Sequence, residues 1–193
     1  MARQKQFDQD EALLKAMEVF WSRGYEAASV QDLVRHMGIN RQSLYDTYGD
    51  KHALYLLALE RYSEVESRRL IDLLERNGSV KNSLRQLFAE VVENALGDRE
   101  HRGCFMGNAT SELAGRCKET ASRTCTNMAT MEGAFYRALL RAKQKGEIQG
   151  VPEPRAMARF FYCALQGLLL MAKARQDRKA LNDVVRVTLS VLD

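Results

Sequence analysis

Arg41 and Gln42 are the two side chains of this sequence best suited to reading the edges of DNA bases. A guanidinium donates two parallel hydrogen bonds to guanine O6 and N7, or holds only a phosphate, and a glutamine amide makes a donor and acceptor pair with adenine. Around them stand groups suited to phosphate oxygens, namely Ser29, Tyr45, Thr47 and Lys51, with Ser43 a further DNA-binding candidate. Hydroxyl and ammonium groups hold a backbone in register without reading its sequence. Tyr45 also suits a thymine methyl group. Tyr48 joins the set by position, although the same spacing turns it toward a core.

Cys104 offers a second chemistry. It follows His101, Arg102 and Gly103 at the expected start of a helix, where basic neighbours and free N–H groups both favour a thiolate. A reactive thiol there would sense oxidants or electrophiles. A small buried hydrophobe is the other reading of a free cysteine, and both stay open here. Phe105, Asn108, Met128, Phe135 and Phe161 join Cys104 as candidate ligand contacts, because an aromatic and methionine lining with a few polar groups adapts to a small molecule.

Helices must position both sets. Ser29 caps a short helix whose Val30, Leu33, Val34 and Met37 form one apolar stripe, ending at Gly38. Asn40 caps the next, with Leu44 and Tyr48 inward and Arg41, Gln42, Tyr45 and Asp46 outward. Two short helices joined by so tight a turn make a helix-turn-helix, whose second member fits the major groove. A preceding helix from Asp8 to about Arg23, stopped by Gly24, supplies the apolar support that the pair lacks alone. Arg3 and Lys5 form a short basic arm before it.

Downstream, Asp50 caps a helix expected to run unbroken from Lys51 to Arg76, about 39 Å at 1.5 Å per residue. Further helices are expected over Ser79 to Leu96, Cys104 to Gly115, Lys118 to Lys145, and Pro152 or Pro154 to Arg175. A last one starts at Asp177 or Asn182. The expectation is thus an all-α chain of nine helices, with a DNA-binding head over residues 1–50 and a ligand-binding and dimerisation body over 51–193. The last two helices are apolar around more than half their circumference, which fits either a central hairpin or an interface with a second copy. Phe160, Ala164, Leu168, Val184 and Val187 are the expected dimer contacts, within an intermolecular four-helix bundle.

Charge sets a limit on this reading. The 193 residues carry a net charge of +4, which suits a nucleic-acid partner. Residues 1–50, however, hold six basic and eight acidic side chains. Contact with DNA must therefore come from placement rather than bulk attraction. The four cysteines show neither a CxxC pair nor a paired histidine spacing, so no zinc module or disulfide scaffold is expected. No nucleophile elbow, phosphate loop, metal triad or dinucleotide glycine pattern occurs. An enzyme, a resident cofactor and a metal are not expected. The opening MARQKQ has no apolar signal region, and the longest apolar run is too short to span a bilayer, so a cytoplasmic protein is expected.

The stretch from Phe20 to Lys51 resembles the TetR family of bacterial transcriptional repressors. The likeness rests on Phe20 through Gly24-Tyr25, Ser29, Gly38-Ile39, Ser43-Leu44-Tyr45, Tyr48 and Lys51. It implies a homodimer on a near-palindromic operator, with a small molecule in the helical body moving the fourth helix and spreading the heads. Two positions depart from the pattern. Asp46 would repel the DNA backbone unless it finds a cytosine amino group or a basic neighbour, and Gln42 replaces a small residue. The segment GCFMGNATSELA is also similar to a redox- and electrophile-responsive branch of the family, which implies a sensor role for Cys104. An activator, or a helical interaction module that binds no DNA, are the alternatives.

Overall fold

A computed structural model describes residues 7–149 and 153–192. The expected arm of Arg3 and Lys5, and Pro152, lie outside them. Among the described residues the chain is nine helices, without strands. They are α1 Gln9–Arg23, α2 Val30–Met37, α3 Arg41–Tyr48, a segmented α4, α5 Val80–Gly97, a segmented α6, α7 Lys118–Gln144, α8 Pro154–Ala174 and α9 Arg178–Ser190.

Side-chain caps fix the starts that the sequence indicates. Asp8 accepts the N–H groups of Asp10 and Glu11, and Asn40 accepts that of Ser43. Ser29 and Asp32 form a reciprocal capping box on α2. Gly38 ends that helix in the left-handed conformation, at φ 71° and ψ 25°, which glycine adopts without a Cβ clash. Asp177, rather than Asn182, begins α9, accepting from Ala180 N–H.

The fourth helix departs from expectation. It runs as Lys51–Tyr62, a π-helical turn Ser63–Ser67, and Arg68–Glu75. Buried Asn127 of α7 donates its amide to both Ser63 Oγ and Ser67 Oγ, at 2.9 and 2.8 Å. A polar side chain set against the turn satisfies the widened ladder there. The sixth helix is likewise split, into Phe105–Ala109 and a π-helical turn Thr110–Ala114, with Cys104 as its cap.

Two apolar cores result. The first joins α1–α3 through Phe20, Leu33 and Leu44 to Leu54, Tyr55 and Leu59 of α4 and to Phe105, Met106 and Leu113 of α6. The head is therefore packed onto the first half of the rod and onto α6. The second core gathers the rest of α4 with α5, α7, α8 and α9 around Phe88, Phe135 and Phe161.

Candidate nucleic-acid interface

The two apolar positions of α3, Leu44 and Tyr48, are buried, and this alone turns the opposite face outward. Arg41 and Gln42 are exposed, while Ser43, Tyr45 and Thr47 are half-buried on the same short helix. Arg41 lies beside the Tyr45 ring, its guanidinium carbon 5.6 Å from the centroid, and donates to the Tyr45 hydroxyl at 3.3 Å. The two side chains lie together on the outward surface of α3.

Asp46 finds neither a basic neighbour nor open solvent alone. Gln42 Nε2 donates to Asp46 Oδ1 at 2.7 Å, an i, i+4 contact. The carboxylate takes one of the two N–H donors of the Gln42 amide and leaves the other, with the carbonyl, to face a base. Ser29 is exposed but engaged, its hydroxyl donating to Asp32 Oδ2 at 2.6 Å and accepting Asp32 N–H. Lys51, at the first turn of α4, holds its ammonium 4.4 Å over the Tyr25 ring, a cation–π contact that fixes its position. Tyr48 is a correction. It is buried and donates its hydroxyl to Gln9 O at 2.9 Å, so it packs under the reader helix and does not face DNA.

The body ties directly to this head. The Glu112 carboxylate, on the π-helical turn of α6, accepts the backbone N–H groups of Tyr25 and Glu26, both at 2.9 Å. Trp21 Nε1 donates to Gly103 O at 3.0 Å, and Arg102 stacks on the indole at 4.3 Å. Cys104 sits between these ties. It is half-buried, its sulfur accepts Gly107 N–H at 3.3 Å, and the Tyr62 hydroxyl approaches at 3.8 Å. Burial first, and the Cys104 contact next, hold the Tyr62 hydroxyl neutral well above the usual tyrosine range.

A cavity of about 820 Å³ opens beside Gly103, lined by Trp21 and Tyr62 from the first core, by Glu66 and Arg69 of α4, by α5, the 98–103 loop and Lys173 of α8. None of the six expected ligand contacts lines it. Phe105, Phe135 and Phe161 are fully buried in the two cores, and apolar periodicity cannot separate core from lining. Met128 is exposed. Asn108 instead donates to Arg102 O, accepts from Lys173 Nζ, and borders a smaller hollow of about 360 Å³. Sequence reasoning gave no role to Trp21, and it did not foresee that Glu112 and the 98–103 loop meet the head here, because these contacts arise only when distant segments pack.

On the far side of the body, Phe160, Leu170 and Met171 of α8 and Val187 of α9 are exposed, Leu170 to 69 % and Val187 to 58 %. Ala164 and Val184 are half-buried beside them. Cys163 is exposed on the same helix. Leu168 is a second correction: at 2 % exposure it belongs to the chain's own core and offers nothing to a partner. No described helix is long and apolar enough to cross a membrane.

Comparison with known proteins agrees with this architecture. Residues 12–58 match the model of bacterial regulatory proteins of the tetR family, and residues 80–188 match the tetracyclin repressor-like C-terminal domain. The HTH-type transcriptional regulator YezE of Bacillus subtilis (strain 168) is 43 % identical over 195 residues, with all of both chains covered. The HTH-type transcriptional repressor ComR of Escherichia coli (strain K12) is 30 % identical over 188 residues, covering 97 % of this chain and 90 % of the relative. Among solved structures, a cysteine-substituted TetR-family regulator CifR, complexed with 26-base-pair double-stranded operator DNA, superposes with a TM-score of 0.86 at 30 % identity over the full length of both chains. With both halves matched and a relative this similar from end to end, the chain belongs to the TetR family of bacterial transcription regulators.

Proposed function

We propose that this regulator is a cytoplasmic homodimeric repressor that binds a palindromic operator through α3 of each protomer and is released by a small molecule or by thiol modification. One observation carries the reading: Arg41 is exposed and braced by Tyr45 on a helix whose reverse side is buried. The functional division falls at residue 50, with reading in residues 1–50 and ligand binding and dimerisation in 51–193, even though the first core spans the boundary. Ser29, Ser43, Thr47 and Lys51 supply phosphate contacts around Arg41 and Gln42. The apolar strip of exposed Phe160 and Val187 with half-buried Ala164 and Val184 meets its copy in a second chain, which sets the spacing of the two heads. CifR, whose solved complex contains operator DNA, supports the operator as the partner.

Release works through α4. A ligand in the cavity touches Trp21 of the head, Tyr62 and Glu66 of the rod and Lys173 of the body at once, so its fit depends on their relative placement. A modification of Cys104 acts at the same junction, because the sulfur caps α6 and α6 holds the α1–α2 turn through Glu112. The experiment is fluorescence anisotropy of the full chain on DNA from upstream of its own gene, over a salt series. Saturation at two chains per palindromic site, with loss on Arg41→Ala, is the expected result. Transcription from that promoter then separates repression from activation. Treatment with hypochlorite, for parent and Cys104→Ser, tests the thiol route, and equal release of both would remove Cys104 from it.

A further inference from the structure

His52, Cys117 and Glu119 converge although 65 residues of chain separate the first two. His52 lies in the first turn of α4; Cys117 caps α7 and Glu119 stands in its first turn. His52 Nε2 is 3.2 Å from Cys117 Sγ, Cys117 Sγ is 3.5 Å from Glu119 Oε2, and the three donor atoms lie within 4.8 Å of one another. We propose that these three side chains form a binding site for a borderline-soft divalent cation of the zinc class, joining the start of α4 to the start of α7.

The donor set argues for that class. One imidazole nitrogen, one sulfur and one carboxylate oxygen suit zinc, whereas calcium and magnesium take oxygen alone. Bond lengths of about 2.0–2.3 Å in a tetrahedron put neighbouring ligand atoms about 3.3–3.8 Å apart. The 3.2 and 3.5 Å contacts already fall at or near that spacing, so the ion enters with small side-chain shifts. Capping α7 requires only one acceptor for the N–H of Thr120, which Cys117 Sγ provides at 3.4 Å. It does not require an imidazole from another helix and a carboxylate on the same sulfur. Buried Thr120 also donates its hydroxyl to that sulfur at 3.2 Å, an outer contact of the kind that orients a metal-bound thiolate.

Charge closes on the same reading. On binding, the Sγ–H proton leaves to solvent as the sulfur–metal bond forms. One thiolate, one carboxylate and a neutral imidazole then balance the dication. Glu119 is exposed and His52 and Cys117 are half-buried, so the ion has an entry path and a water can fill the fourth position.

The test uses the reduced, tag-free full chain, titrated with cobalt(II) and then with zinc(II), in the absence of DNA; its outcome is therefore independent of operator binding. The expected result is one cobalt per chain, tetrahedral d–d absorption and a sulfur-to-cobalt charge-transfer band, all displaced by zinc. Cys117→Ser removes the charge-transfer band, and His52→Ala and Glu119→Gln each weaken zinc binding by more than the roughly tenfold loss expected of the outer-contact variant Thr120→Val. Cys104→Ser leaves the titration unchanged. Serine keeps an oxygen acceptor at the α7 cap, and circular dichroism verifies the fold; should Cys117→Ser misfold, the His52→Ala titration carries the test alone. No cobalt bound by the folded parent, or a charge-transfer band that survives Cys117→Ser, overturns the site, as does parent-like zinc affinity in folded His52→Ala.

Discussion

The Glu112 carboxylate of α6 accepts the backbone N–H of Tyr25 at 2.9 Å, and through its other oxygen that of Glu26, so one body side chain closes the turn between α1 and α2. Two N–H groups that no helix satisfies are answered by an acid 87 residues away. Glu112→Ala leaves both without a protein partner and should cost about 1–3 kcal/mol, read from urea denaturation. Gly24 gives an independent check. Its φ of 80° and ψ of 175° lie in a region open to glycine alone, and a Cβ there would stand 2.8 Å from Glu112 Oε2. Gly24→Ala should therefore destabilise by about 1–3 kcal/mol, and by less in a Glu112→Ala background, where the collision is gone.

On the reader face, Arg41→Ala should weaken operator binding by about 1–3 kcal/mol if the guanidinium reads a base. Lys51→Ala should lower the salt slope by about one unit, as expected for one phosphate contact. Tyr48→Phe separates packing from recognition. It loses the bond to Gln9 O, about 0.5–1.5 kcal/mol of stability, with operator affinity per folded dimer unchanged. Anisotropy at several salt concentrations, alongside denaturation, distinguishes all three.

Why α3 is legible in the sequence, and its surroundings are not, follows from the range of the interactions. Asn40, Leu44 and Tyr48 act within a cap and the eight-residue helix that follows it, so a cap and a period describe the helix fully. The Gln42–Asp46 bond is equally local, an i, i+4 spacing visible in the sequence, and it gives the Asp46 carboxylate a partner on its own helix. The π-helical turn of α4 is not visible, because it faces Asn127 some sixty residues away. The cavity is hidden for the same reason: Trp21, Glu66 and Lys173 share it only after three helices pack. Leu168 shows a different limit. A helix apolar around most of its surface gives no phase, so periodicity cannot tell its own core from a face kept for a partner.

Acid should loosen the head through Asp32. The Ser29 hydroxyl first, then the Ser29 N–H, with Arg23 and Arg35 nearby, hold its carboxyl below the ordinary value of 3.8. A depressed folded value means that the charged form favours folding. Its contribution is full above the unfolded value and lost as pH falls through the folded one. Relative to Asp32→Asn, the parent should be more stable at neutral pH and lose that advantage below about pH 4. Urea midpoints for both proteins across that range measure it, and curves that stay parallel would remove Asp32 from the acid limb.

The two kinds of apolar residue on α8 and α9 predict opposite outcomes. Phe160 is 44 % exposed and Val187 58 %, whereas Leu168 is 2 % exposed. Replacing Phe160 or Val187 by aspartate places a charge on the strip proposed to meet the second copy. Light scattering should then show monomers at concentrations where the parent is a dimer, and operator affinity should fall because the two heads are no longer held at one spacing. The fold of each chain is kept, since neither side chain fills its interior. Leu168→Ala instead opens a cavity in the second core and should cost about 2–5 kcal/mol, with the dimer intact at temperatures where the chain stays folded. A monomeric but fully stable Leu168→Ala protein would place the interface on the other stripe of α8 and reverse both assignments.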